Sequence, residues 1–192
     1  MKVSLNWLKR YVNITVSVQE LCDKMTMSGF EVDGIEDLSE TMDNVKVGRI
    51  LKIEKHPDAD KLQVCQVDIG EEAPIQIITG AQNVFEGALV PCALHDSHLP
   101  NGAHIKRGKL RGLPSEGMMC SGEELCLKEG DYPGAEVYGI LILQGDWAPG
   151  TDLREVLDLN DVIIDFSILS NRPDCNSVLG IAREVAVALK EE

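Results

Sequence analysis

Residues 44–70, NVKVGRILKIEKHPDADKLQVCQVDIG, place two runs of β-branched and aliphatic residues on either side of a Pro/Asp-rich turn and end on a glycine. That is the pattern of two strands and their connection. Similar runs follow: PIQIITG (74–80), ALVPCAL (88–94), AHIKRGKLRG (103–112) and YGILIL (138–143), with turn residues between them. Five or six short strands at such spacing predict a small sandwich or barrel. Apolar residues fall on both parities, as with Leu62 and Val64 against Cys65, Val67 and Ile69. Strands partly buried on both faces fit a closed barrel packed against a further element.

The flanks have the helical period instead. SVQE (17–20) is a capping box, Val18, Leu21, Cys22 and Met25 recur at helical spacing, and Gly29 supplies a stop. LNWLKRYV (5–12) predicts an earlier turn with Leu5, Leu8 and Val12 on one face and Trp7 nearby, and FEVDGIEDL (30–38) a short strand. Beyond WAPGTD (147–152), Asp152–Leu157 forms a short amphipathic turn and DVIIDFSIL (161–169) a buried strand. Asn176 or Ser177 then caps a helix striped with Val178, Ile181, Ala182, Val185 and Leu189. A piece below about 40 residues cannot bury enough surface to fold alone, so the two flanks combine. The expected fold class is α+β: a small discontinuous α/β domain, residues 1–39 and 151–192, with an all-β barrel, residues 40–150, inserted.

The chain has 192 residues, 44% hydrophobic and 26% charged, the balance of a soluble globular protein. No stretch approaches the ~18 apolar residues of a membrane span, and the first residues lack an apolar run with a cleavage site, so the cytoplasm is expected. Six cysteines without a CxxC pair, most among apolar neighbours, read as reduced core residues. A metal site from His95, His98 and His104 with Cys120 or Cys126 is the alternative. Only HDSH (95–98) has tight ligand spacing, so no metal is expected.

The net charge of −14 is unevenly spread: −3 over residues 1–40, zero over 41–112 and −11 over 113–192. Phosphate attraction is local, screened beyond ~8 Å, so the total does not exclude a nucleic-acid partner for the neutral middle. HIKRGKLRG (104–112) puts Lys106, Arg107, Lys109 and Arg111 into six positions. On charge alone it is either a solvated hairpin or a phosphate-contacting edge. Phe85 is the one aromatic between residues 41 and 112, which favours backbone and shape contacts over base stacking. No nucleophile–base pair or phosphate-cradling glycine loop is present, so no catalytic residue is assigned.

VGRILKIEKHPDADKLQVCQVDIG, then GAQNV, then IKRGKLRGLPSEGMMCSGEEL resembles the tRNA-binding OB module of several synthetases and free-standing tRNA-binding factors. The flanking MKVSLNWLKRYV and DFSILSNRPDCNSVLGIAREVAVAL resemble the amino-terminal region of the bacterial phenylalanyl-tRNA synthetase beta subunit. The resemblance implies an OB-fold inserted in an α/β domain, and a non-catalytic tRNA-binding and structural part of the ligase. Its partners would be tRNA and a catalytic alpha subunit in an alpha2-beta2 enzyme. Cofactors would be absent from this segment, with ATP and magnesium serving the complete enzyme. A free-standing tRNA-binding factor and a protein-interaction scaffold are the alternatives.

It further implies tRNA contacts at Lys106, Arg107, Lys109 and Arg111, with Lys61, Asn83 and Ser121 as weaker candidates. Lys61 could instead pair with Asp58 or Asp60 in a turn, and Asn83 could hold a loop through its amide. Met118 and Met119 read as core filling, and SNRPDCNS (170–177) as a turn and cap rather than a catalytic cluster. Two departures from the family pattern are Cys126, where relatives often have glycine, and Asp58, where they often have asparagine.

Overall fold

The structure, a computed structural model, describes residues 1–190. In chain order its elements are β1 (Lys2–Ser4), α1 (Leu5–Leu8), α2 (Val18–Met27), β2 (Val32–Asp37), β3 (Val45–Lys55), β4 (Gln63–Asp68), β5 (Ile75–Thr79) and β6 (Leu89–Ala93). Then come β7 (Ser97–His98), β8 (His104–Ile105), β9 (Gly108–Leu110), β10 (Leu113–Ser115), β11 (Met118–Met119), α3 (Leu153–Val156), β12 (Val162–Phe166) and α4 (Val178–Leu189). They form two compact units, one from Met1–Ser39 with the stretch that starts at Asn160, the other Glu40–Leu159. No helix among the described residues is long and apolar enough to cross a membrane.

In the first unit, helix starts follow the expected capping chemistry. The hydroxyls of Ser4, Ser17 and Ser177 accept the N–H groups of Trp7, Glu20 and Gly180, satisfying donors that open each helix. Gly29, at φ +94°, ends α2 in the left-handed region. The sheet is antiparallel in the order β1-β12-β2. Ile164 and Phe166, two apart on its central strand, are fully buried with Leu8, Leu21, Met25 and Ile181. Each such side chain contributes roughly 1.5–3 kcal/mol by leaving water.

SNRPDCNS is a turn held by ion pairs. Arg172 bonds Asp174 at 2.9 Å and Glu184 at 2.6 Å, and its guanidinium lies 5.0 Å from the centre of the Phe30 ring. Asp174, Cys175 and Glu184 are the one group of potential metal ligands lying close together among the described residues, and Arg172 already bridges the two carboxylates. A cation in their midst makes the group unfit for a divalent ion.

The second unit is a nearly closed five-stranded barrel, order β11-β6-β3-β4-β5, an OB-type fold. The eleven residues of β3 pair with both β4 and β6, and a register shift between Ile50 and Lys52 lets the strand bend between them. At Gly48 a Cβ would press on Cys92 Sγ and Val67, so glycine is required where β3 passes closest to its neighbours. The barrel closes where the free edge of β5 meets the segment before β11. There Glu116 N–H donates to Gln76 O at 2.8 Å and Ile78 N–H to Ser115 Oγ at 3.1 Å.

Three expectations need correction. Residues 151–159 lie in the barrel unit. Val47 N–H donates to Thr151 O, Gly150 N–H to Val47 O, and Leu153 and Val156 of α3 pack with Met42, Val45 and Val47. Second, YGILIL is not a strand. Leu141 N–H goes to Cys120 O and Leu143 N–H to Leu89 O, two separate partners rather than one ladder. Third, AHIKRGKLRG is interrupted, His104–Ile105 pairing with Ser97–His98 and Gly108–Leu110 with Leu113–Ser115.

Five cysteines are buried in core packing and Cys126 is exposed. Burial pushes the thiols of Cys65 and Cys120 up to about 11 and about 12, and Cys92 higher still, which makes them unreactive packing groups. Cys126 has φ +54°, a conformation that favours glycine.

Two substitutions test the barrel unit's backbone. Cys126→Gly should raise its unfolding free energy by about 0.5–1 kcal/mol. Gly122→Ala should lower it by at least about 2 kcal/mol, because a methyl there would run into the Ala135 carbonyl. Denaturant titration measures both, and an unchanged midpoint in either refutes the corresponding constraint.

The Arg172 pair gives a pH test. Hydrogen bonding to Arg172 holds the Asp174 carboxyl down at about 2 against an ordinary 3.8. The lowered folded value means the pair stabilises above 3.8, and that stabilisation is lost as pH falls toward 2. Arg172→Met should therefore be less stable at neutral pH and show a flatter loss over that interval. Parallel acid limbs for the two proteins would show that the pair does not couple to folding.

Candidate nucleic-acid interface

The cationic stretch is built around a two-residue turn. Leu110 pairs with Leu113, leaving Arg111 and Gly112 as the loop, with φ of +48° and +91°. Two consecutive positive φ values match the right-handed twist of a hairpin, and Gly112 adopts its value without strain. Arg111 is the less usual occupant of such a position. It sits exposed at the hairpin tip.

Two histidines hold the hairpin to the barrel. His56 is 4% exposed; its Nδ1 accepts Asp58 N–H at 3.1 Å, so the Nε2 proton faces Leu110 O at 3.3 Å. HPDADKL, closed as a turn by His56 N–H to Leu62 O and Leu62 N–H to Ala59 O, is thereby tied to β9. His95 Nδ1 accepts the N–H of Arg107 at 3.2 Å, fixing the backbone where the cations begin. His98 and His104 stack at 4.2 Å. Each also meets a carboxylate: the His98 N–H and ring hold the Asp43 carboxyl below its ordinary range, and the His104 ring at 2.6 Å does so for Asp96. The histidines therefore brace the loop, with Cys120 and Cys126 playing no part in their contacts.

A groove of about 1340 Å³ opens beside this hairpin. Its floor includes Ile78, Met119 and Ile140, and Lys106, Gly108 and Leu110 border it. The expected site residues divide. Lys106, Asn83 and Ser121 come together around the groove. Arg107 lines a separate hollow with Glu71, Glu72 and Glu116, its guanidinium 4.0 Å from Glu116. Lys109 alternates with Leu110 and is exposed, so it projects from the other side of the hairpin. Lys61 is exposed outside the groove; its carbonyl accepts from Gln82, and no ion pair with Asp58 or Asp60 forms among the described residues.

Asn83 and Ser121 have structural partners. Asn83 Nδ2 donates to Ile140 O at 2.8 Å and its Oδ1 accepts Ile140 N–H at 3.0 Å. Ser121 and Glu124 form a reciprocal box, with Ser121 Oγ accepting Glu124 N–H while Glu124 Oε2 accepts both Ser121 N–H and Oγ–H. Both residues shape the groove. Met119 is buried and Met118 half-buried, in keeping with core filling. Tyr138, Val137, Glu123 and Glu136 also line it, and none was singled out from sequence. The signal was the aromatic-glycine pair Tyr138-Gly139, hidden by assigning that segment to a strand.

Residues 45–152 match the family described as "Putative tRNA binding domain". Over 98% of its length the chain is 54% identical to the phenylalanine–tRNA ligase beta subunit of Clostridium tetani and 50% identical to that of Clostridium acetobutylicum. It is 46% identical to that of Moorella thermoacetica over 97%. It spans 23% of the length of each of these relatives. The barrel, its braced cationic hairpin and the match over 45–152 together establish that the chain belongs to the tRNA-binding domain family, and nearly all of it is similar to phenylalanine–tRNA ligase beta subunits.

Proposed function

We propose that this chain is a non-catalytic tRNA-binding and structural part of a phenylalanine–tRNA ligase beta subunit, working in the cytoplasm. The observation that carries the proposal is coincidence: the family match over 45–152 falls on the unit that holds the groove and the cationic hairpin. In the complete enzyme, phenylalanine is attached to its tRNA in an ATP- and magnesium-dependent reaction with an alpha subunit, as alpha2-beta2. This segment supplies binding and scaffold.

Lys106, Lys109 and Arg111 are the residues proposed to meet phosphates: none of them is in an ion pair with a carboxylate among the described residues, although the charge of Lys106 also acts on the nearby Asp96 carboxyl. Arg107 contributes less, held near Glu116 beside Glu71 and Glu72. Asn83 and Ser121 act through loop shape, and Lys61 lies on the periphery.

Salt titration of tRNA binding tests this. Affinity should fall steeply with salt, and alanine at Lys106, Lys109 or Arg111 should each reduce the log–log slope by about 0.7–0.9. Arg107→Ala should change it by less. Affinity and slope untouched by all four substitutions would favour a protein-docking scaffold. The chain alone should show no phenylalanine-dependent exchange between ATP and pyrophosphate; detectable exchange would overturn the non-catalytic assignment.

A further inference from the structure

We infer that the groove takes one unpaired nucleotide of the RNA, its base stacked on Tyr138 and its phosphate turned toward Lys106. The inference rests on the tRNA-binding proposal and names the part of the RNA that enters the groove.

Tyr138 is 100% exposed on the groove wall, and Val137 beside it is 61% exposed. A ring with no buried surface contributes nothing to the core. Its backbone is nevertheless fixed on both sides. Val137 N–H bonds Gly134 O at 3.1 Å, and the Asn83 amide grips Ile140 through both its N–H and C=O. Between them Gly139, at φ +117°, packs so tightly on the Asn83 carboxamide that a Cβ would collide with it. The ring is thus presented on an ordered loop, and little ordering remains to be done when a ligand arrives.

Charge decides which part of a nucleotide fits. Glu123 and Glu136 line the groove, and Glu124, also there, is engaged by Ser121. Carboxylates repel phosphate, so the backbone cannot run along them, whereas they accept hydrogen bonds from base amino groups. Lys106 is the cation that borders the groove, and the rest of the cationic hairpin continues from it. A nucleotide suits both kinds of charge with its phosphate at Lys106 and its base over the apolar floor against Tyr138. Base–aromatic stacking tolerates any base, because each has a π-face.

The test compares Tyr138→Ala, Tyr138→Leu, Tyr138→Phe and Tyr138→Trp, in this chain, for binding to tRNA and to a fully paired RNA duplex. Alanine and leucine should weaken tRNA binding by about 5- to 150-fold with no change in salt slope, while phenylalanine and tryptophan retain it. Duplex binding should be unaffected by all four. Because the ring is exposed, thermal stability should stay at the wild-type value, which separates lost stacking from lost fold. If alanine and leucine bind tRNA like wild type while Lys106→Ala weakens it, the stacking inference is wrong and the tRNA-binding proposal stands. A groove occupied by a peptide would give that same result. If neither position affects tRNA binding, the stacking inference fails, and the tRNA-binding proposal fails with it only where alanine at Arg107, Lys109 and Arg111 is equally without effect.

Discussion

The contact on which the second unit depends is the closure of the barrel at Ser115 and Glu116. An open five-stranded sheet would leave β5 with unpaired backbone groups, a template for pairing with other chains. Here Ile78 N–H reaches the buried Ser115 hydroxyl, which in turn donates to Gly117 O at 2.9 Å, and Glu116 N–H bonds Gln76 O. Gln76 Nε2 also holds Pro114 O at 2.7 Å. A side chain replaces a ladder bond at this seam, and the strand leading into it is β10, the return arm of the cationic hairpin. Closing the barrel therefore places the hairpin's return arm against β5, and residues of both border the groove.

The same economy appears at the buried His56. A loop rich in Pro and Asp is a poor anchor by itself, yet its histidine presents one ring nitrogen to its own turn and the other to the carbonyl of Leu110. Two loops distant in sequence share one ring. His95 does the corresponding work at Arg107. The hairpin is exposed from Gly108 to Gly112, but its backbone has partners at both ends, so its cations are carried on a defined frame.

Much of the fold was legible because it rests on local chemistry. Ser17 with Gly29, Ser177 with the Val178-to-Val185 stripe, and the runs 45–55 and 63–68 carry caps and periods that survive packing. What failed depended on partners far along the chain. Nothing in YGILIL reveals that its N–H groups go to Cys120 and Leu89, and nothing local in TDLREV shows that Thr151 completes a pair with Val47. The site was legible in kind and not in detail. Four cations in six positions look like one patch, but the alternation of a strand and the carboxylates of Glu71, Glu72 and Glu116 divide them. Cys126 is the reverse case: the resemblance implies glycine at this position, and that expectation takes its meaning from a φ of +54°.

The acidity that follows residue 112 then acquires a role. Attraction alone would let a polyanion slide over any cationic edge in many registers, because phosphates repeat along every strand. Carboxylates in the groove lining remove most of those registers, since a phosphate near Glu123 or Glu136 meets like charge at a range that salt screens poorly. One lysine and several acids in the same lining give the groove a charge preference. Mixed charge costs affinity relative to an all-basic groove, and in return it restricts which way a nucleotide faces. For a segment similar to about a quarter of a larger ligase subunit, orientation suits the proposed role, in which bound tRNA is presented to chemistry outside this segment.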